Sequence, residues 1–175
     1  KANSHVHIEN SNITGSSSGY EAIWLWNNGS IMLQGTSSVT APSGTSAINL
    51  TTASSAVITD DVQINSVDQT AIYIDKNSVV ELNDNVAVIR SDGNDEILVD
   101  PTSALRINGS DITLANVSCG GITSYVEDGS NNSVNLSSTC NGYQNLMPNF
   151  RQIFSGTCES NGYQNLISAH ECSQA

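Results

Sequence analysis

Trp24 and Trp26, Tyr73, and the carboxylates Asp75 and Asp100 are the side chains of this sequence whose types and spacing point most clearly to shared chemistry. An aromatic surface fringed by carboxylates stacks on the apolar face of a sugar and binds its hydroxyls; the same surface also serves as a flat face for a protein partner. Which of these applies depends on whether the five residues lie together, and on whether another segment covers them. The apolar residues Phe150, Ile153 and Phe154 near the C-terminus are the chain's own candidates for that cover, and packing by this tail or by another subunit is favoured over glycan contact.

The remaining polar groupings carry weaker chemistry. Asp60 with Asp61, Asp84 with Asn85, and Ser110 with Asp111 recur at one point of a repeat. Such oxygens could gather the six to eight or so ligands of a calcium ion, but Asp and Asn are also what tight turns require, and the turn reading is preferred. Asp92, Asp95 and Glu96 surround Gly93 without the spacing of a helix–loop–helix calcium loop. His5, His7 and Glu9 alternate along one strand and are read as an exposed face. No cofactor is expected, with calcium as the alternative. The five Lys and Arg residues, Lys76, Arg90 and Arg106 among them, form no motif with an acid. Nucleophile elbow, phosphate loop and paired-Cys redox patterns are all missing from the sequence. No catalytic residue is assigned, and the chain is read as a non-enzyme.

Seventeen Asp and Glu against five Lys and Arg give a formal charge of −12, which repels phosphate backbones and argues against a nucleic-acid partner. No apolar run reaches the roughly 20 residues that span a bilayer. Four cysteines, Cys119, Cys140, Cys158 and Cys172, are spaced by 21, 18 and 14 residues. That matches no zinc pattern, so disulfides are expected, in any of three pairings, with an extracellular or other oxidising location. Sequons begin at Asn12, Asn28, Asn49, Asn108, Asn116, Asn131 and Asn135; they matter only in a host that glycosylates them.

Side chains so far apart meet only if the chain winds back on itself, and the apolar pattern predicts that it does. Val6 and Ile8, Ile31 and Leu33, Ala56 and Ile58, Val80 and Leu82, and Leu105 and Ile107 repeat at steps of 25, 25, 24 and 25 residues. A second run keeps the same period: Ala22–Leu25, Ala47–Leu50, Ala71–Ile74 and Glu96–Val99. A third is marked by Ile13, Val39, Val62 with Ile64, Val86 with Val88, and Ile112 with Leu114. Alternating β-branched residues broken by Gly, Ser, Asn and Asp describe short strands. A fixed period of two dozen residues describes a stacked coil. The expected fold is therefore all-β: a three-sided parallel β-helix of about five to six coils over residues 1–136, with inward residues forming columns. On the outward columns, Trp24, Asn49, Tyr73 and Leu98 lie beside Trp26, Thr51, Asp75 and Asp100, and Glu81 meets Arg106 as a surface ion pair.

Over about residues 5 to 136 this pattern resembles the right-handed parallel β-helix proteins, the architecture of pectin-lyase-like polysaccharide enzymes, phage tailspikes and bacterial surface adhesins. The resemblance rests on period and pattern. It implies the right-handed coil and leaves the choice between glycan cleavage, glycan binding and adhesion to the site.

Residues 137–175 break the period and carry a duplicated hexamer, Asn141–Leu146 and Asn161–Leu166, with each copy close behind a cysteine. This segment is expected to be a disulfide-linked cap on the last coil, or a connector to a neighbouring subunit. Because Val6 already belongs to the first coil, the chain reads as a mature or excised segment that continues on its N-terminal side. The function expected is that of a secreted or surface-exposed, non-catalytic structural or adhesive module. It would self-associate, possess a fibre-forming option, or meet another surface protein; the alternative is a glycan-binding or polysaccharide-degrading β-helix.

Overall fold

The computed structural model describes residues 4–16, 19–130, 132–137, 140 and 144–145. Among them every strand pairing is parallel and there is no helix. The first coil runs through β1 (His5–Glu9), β2 (Asn12–Thr14) and β3 (Ile23–Leu25), and the second through β4 (Ser30–Gln34), β5 (Ser38–Thr40) and β6 (Ile48–Leu50). The third comprises β7 (Ser55–Ile58), β8 (Gln63–Ser66) and β9 (Ile72–Ile74), and the fourth β10 (Val79–Leu82), β11 (Ala87–Arg90) and β12 (Ile97–Val99). Two-strand turns follow: β13 (Ala104–Ile107) with β14 (Thr113–Cys119), then β15 (Tyr125–Asp128) with β16 (Ser133–Leu136), before β17 (Gln144–Asn145). The result is a parallel β-solenoid of about five coils with three faces. Sheet A stacks β1-β4-β7-β10-β13-β15-β17, sheet B stacks β2-β5-β8-β11, and sheet C stacks β3-β6-β9-β12-β14-β16.

The alternation of side chains along each strand decides which residues enter the core. In sheet A the register places Val6, Ile31, Ala56, Val80 and Leu105 above one another, as the spacing predicts, and then adds Val126. In sheet C the columns are Ile23, Ile48, Ile72, Ile97 and Val117, and Leu25, Leu50, Ile74, Val99 and Cys119. From the second coil to the fifth these residues are almost wholly shielded from solvent, and each fully buried Ile, Leu or Val contributes about 1.5–3 kcal/mol. Corners carry the backbone ladder onward, with Gly15 N–H donating to Thr40 O at 2.9 Å and Thr51 N–H to Leu25 O at 3.0 Å. Chain reversals thus leave few backbone groups unpaired.

Three strands per turn hold for four coils and then fail. Ile112 and Leu114 do not lead a separate third strand; Leu114 belongs to β14, which runs on through Val117 to Cys119 within sheet C. The cause is the corner between sheets B and C. It holds residues 67–71 in the third coil and 91–96 in the fourth, but in the fifth it shrinks to an irregularity between Leu114 and Val117. Losing that corner shortens the step from Leu105 to Val126 to 21 residues, which is why the 24–25 period ends there. Asp128 takes the inward place that Ile107 holds one coil earlier. Its fully buried carboxylate accepts from the backbone N–H groups of Ser130 at 3.1 Å and Asn132 at 2.8 Å.

The acidic knot around Gly93 fastens the last large corner. Arg90, only 12 % exposed, sets its Nε 2.6 Å from Asp92 Oδ1 and donates through Nη2 to Asp68 O at 2.7 Å and through Nη1 to Asp95 O at 3.2 Å. The Arg90 guanidinium, helped by Asn94, holds the Asp92 carboxyl down to about 2. Glu96 Oε2 accepts from Ala115 N–H at 2.7 Å, exactly where β14 loses its corner, although burial pushes the Glu96 carboxyl above its ordinary 4.5. Between 4.5 and that raised value the folded protein keeps a proton that the unfolded chain has released, so this group's contribution to stability falls as pH rises through the window. Glu96→Gln removes that slope. Thermal unfolding from pH 4.5 to neutrality is expected to show the wild type losing stability relative to the variant; parallel curves would contradict the assignment. Asp92 acts in a separate, lower window, its contribution being lost as pH falls from 3.8 towards 2.

Candidate functional site

Sheet C builds the aromatic face by simple alternation. Because Ile23 and Leu25 point inward, Trp24 must point out, and the parallel register sets Asn49, Tyr73, Leu98 and Ser118 above it in turn. Two residues along, beyond the end of each strand, Trp26, Thr51 and Asp75 follow the same ladder, with Asp75 N–H donating to Leu50 O at 2.8 Å. Trp24 is 58 % and Trp26 61 % exposed, and their rings lie nearly parallel, 20° apart with centroids at 6.2 Å.

These rings form one side of an open groove of about 320 Å³ lined by Trp24, Trp26, Asn49, Tyr73, Asp75 and Lys76, together with Thr51 and Thr52. Thr51 Oγ1 donates to Asp75 Oδ2 at 3.2 Å, and Lys76 Nζ lies 3.4 Å from the same oxygen. Asn49 Nδ2 donates to Glu21 Oε1 at 3.0 Å, while Asn49 Oδ1 is buried without a partner. Tyr73 donates its hydroxyl to Asp100 Oδ2 at 2.6 Å. Burial, then this bond, raises the phenol well above its ordinary value, so Tyr73 stays a neutral donor. The groove wall carries backbone strain: Thr52, a β-branched residue, sits at φ 59° and Lys76 at φ 51°.

Four of the five residues expected to act together therefore do line one groove. Asp100 stands one coil beyond and orients the Tyr73 phenol. Asn49 and Thr51 occupy the columns that the 24–25 spacing assigns them, yet their place in the site was not evident from residue type. Lys76, which forms no motif with an acid in the sequence pattern, is set beside Asp75 by the turn after β9, its Nζ 3.4 Å from Asp75 Oδ2.

The other polar groupings serve the coil. Asp60 Oδ2 accepts from Gly35 N–H at 3.0 Å, Asp84 Oδ2 from Thr59 Oγ1 at 2.9 Å, and Asn85 Nδ2 donates to Asp61 Oδ1 at 3.4 Å. Asp60 and Asp84 adopt left-handed backbone angles of 63° and 57°, which Asp tolerates better than most residues. One coil on, Gly109 is required, since a Cβ there would meet the Asp84 backbone nitrogen at 2.1 Å. Among the described residues no three His, Cys, Asp or Glu side chains gather as a metal site. His5 and His7 are exposed, with His5 Nδ1 2.8 Å from Ser30 Oγ. Arg106 Nη1 donates to Glu81 Oε1 at 3.1 Å, a surface pair worth under about 1 kcal/mol. Cys119 and Cys140 form a disulfide with Cα atoms 5.2 Å apart. Cys158, Cys172, Phe150, Ile153, Phe154 and the second hexamer lie outside the described residues, as do the side chains of the first.

No protein-family model matches the chain, and no curated protein or solved structure gives a match to it. Among the described residues no helix is long and apolar enough to cross a membrane.

Proposed function

We propose that this chain is a non-catalytic, extracellular structural or adhesive β-solenoid module, with Trp24, Trp26 and Tyr73 as its contact strip. The observation that carries this reading is the pair of adjacent tryptophan rings, each more than half exposed on a sheet whose inner face is locked into the core. Rigid aromatic anchors of this kind supply a large share of binding energy at little entropic cost. The disulfide supports an oxidising location. The non-catalytic reading draws on the carboxylates, whose hydrogen bonds hold the coil and the groove walls. The partner is another surface component or a second copy of the chain, and a strip on the side of the coil leaves end-to-end growth free to build a fibre.

Adhesion of the full chain to immobilised cell-surface material tests this. Trp24→Ala combined with Trp26→Ala is expected to weaken adhesion by at least about tenfold without altering the far-ultraviolet circular dichroism. Adhesion that ignores both substitutions would overturn the reading. So would release of new reducing ends from a polysaccharide that stops in Asp75→Ala, since that would establish the alternative of a polysaccharide-degrading enzyme.

A further inference from the structure

We infer that the sheet C groove is a subsite for an uncharged saccharide, with one pyranose ring stacked on Trp24 and its hydroxyls bonded to Asp75 and Lys76. This rests on the contact-strip reading above and names the class of ligand. The first argument is the extent of the apolar surface. The large exposed apolar residues of the described chain are Val6, Tyr20, Trp24, Trp26, Val67, Ile89 and Ile122, and of these only Trp24 lies on a sheet C strand, with Trp26 just past its end. A protein interface needs about 1,000 Å² or more with an apolar centre, whereas a single sugar ring needs one aromatic face.

The second argument is the polar fringe. A pyranose presents C–H groups on its faces and hydroxyls around its rim, and each hydroxyl both donates and accepts. Beside the rings stand an acceptor, the Asp75 carboxylate, and a donor, Lys76, whose side chain is 68 % exposed. Asn49 lies between Trp24 and Tyr73 in the register, its amide nitrogen turned to Glu21 and its amide oxygen buried beneath the surface, so it shapes the groove floor and leaves the fringe to Asp75 and Lys76. From Trp24 to Tyr73 the groove spans two coil steps, roughly 10 Å at about 4.8 Å each, so it holds a short stretch of a glycan laid along the coil axis.

Charge sets the class. A net −12, with Asp75 lining the groove and Glu21 hydrogen-bonded to Asn49 behind it, disfavours uronates and sulfated sugars. Cellotetraose, chitotetraose and mannotetraose are the neutral probes, and tetragalacturonate is the acidic one, each titrated into the full chain and followed by tryptophan fluorescence and calorimetry. At least one neutral probe is expected to bind saturably, with Kd of about 1 mM or tighter. Trp24→Ala is expected to weaken that binding at least tenfold or so, and Trp24→Phe, which keeps a ring, by less. Tetragalacturonate is expected to bind at least about tenfold more weakly than the best neutral probe.

The inference is overturned if no neutral probe binds, if binding survives Trp24→Ala unchanged, or if tetragalacturonate binds as well as the neutral probes. Should the sugars fail while surface adhesion still depends on Trp24, only the ligand class is wrong, and a protein partner or a covering segment of the chain takes its place. Should adhesion also ignore Trp24, the contact strip falls with it.

Discussion

Ile72→Ala is expected to lower the free energy of unfolding by about 2–5 kcal/mol, whereas Ile89→Ala changes it by no more than about 0.5 kcal/mol. Both residues are isoleucines on β-strands of the same coil stack, and both lose the same atoms. Ile72 has no exposure and lies in the inward column between Ile48 and Ile97, while Ile89 is 46 % exposed on the outward face of β11. Removing the Ile72 side chain forfeits its transfer from water and leaves a cavity that neighbours above and below, fixed by the backbone ladder, cannot close. Removing Ile89 opens nothing. Urea titration followed by circular dichroism separates the two; equal shifts in midpoint would mean that the inward and outward faces are assigned wrongly. Because each coil contacts chiefly its neighbours, the loss is expected to loosen the second to fourth coils first.

Breaking the Cys119–Cys140 bond comes next in size. The linked residues are 21 apart, and closing a loop of that length in the unfolded chain corresponds to about 3 kcal/mol. The double variant Cys119→Ser/Cys140→Ser is expected to lose that amount, and slightly more because Cys119 continues the inward column of Leu25, Leu50, Ile74 and Val99. Its place at the end of the coil gives the effect a direction. Amide hydrogen exchange is expected to accelerate in β15 and β16 while β4 to β9 keep their protection. Reduction and alkylation of the wild type should reproduce the pattern. Unchanged stability, or a loss spread evenly from β4 to β16, would contradict a staple at this end.

The sequence spoke most clearly where neighbouring coils repeat the same contacts. In sheet A from Val6 to Ile107, and in sheet C from Ile23 to Val99, inward residues repeat 24 or 25 positions apart, so the outward faces of Trp24, Asn49 and Tyr73 follow by alternation alone. Past Ile107 the cue weakens for a physical reason. A coil tolerates the loss of a corner, and once β14 runs through that position as one strand of sheet C the period drops, hiding Val117, Cys119 and Val126 from a search at fixed spacing. Asp128 deepens the break, because a carboxylate in an inward place looks like a turn until the three donors of its two neighbours, Ser130 and Asn132, are seen around it. In the site, residue type found the rings and the carboxylates. It could not tell that Asp100 faces Tyr73 and leaves Asp75 to the groove, a distinction made by one hydrogen bond of 2.6 Å. The sequence leaves three partners open to Cys119, which continues the inward column of sheet C, and the structure bonds it to Cys140.

The groove exists only if Trp24, Asn49 and Tyr73 occupy successive coils in parallel register. Amide-to-amide nuclear Overhauser contacts in the isotope-labelled full chain test that directly. The register predicts contacts that link β3 to β6 and β6 to β9 around these three residues, with matching contacts around Met32 and Val57 in sheet A. Contacts that instead join β3 to β4 as an antiparallel hairpin would contradict the stack, and the aromatic strip would be lost with it.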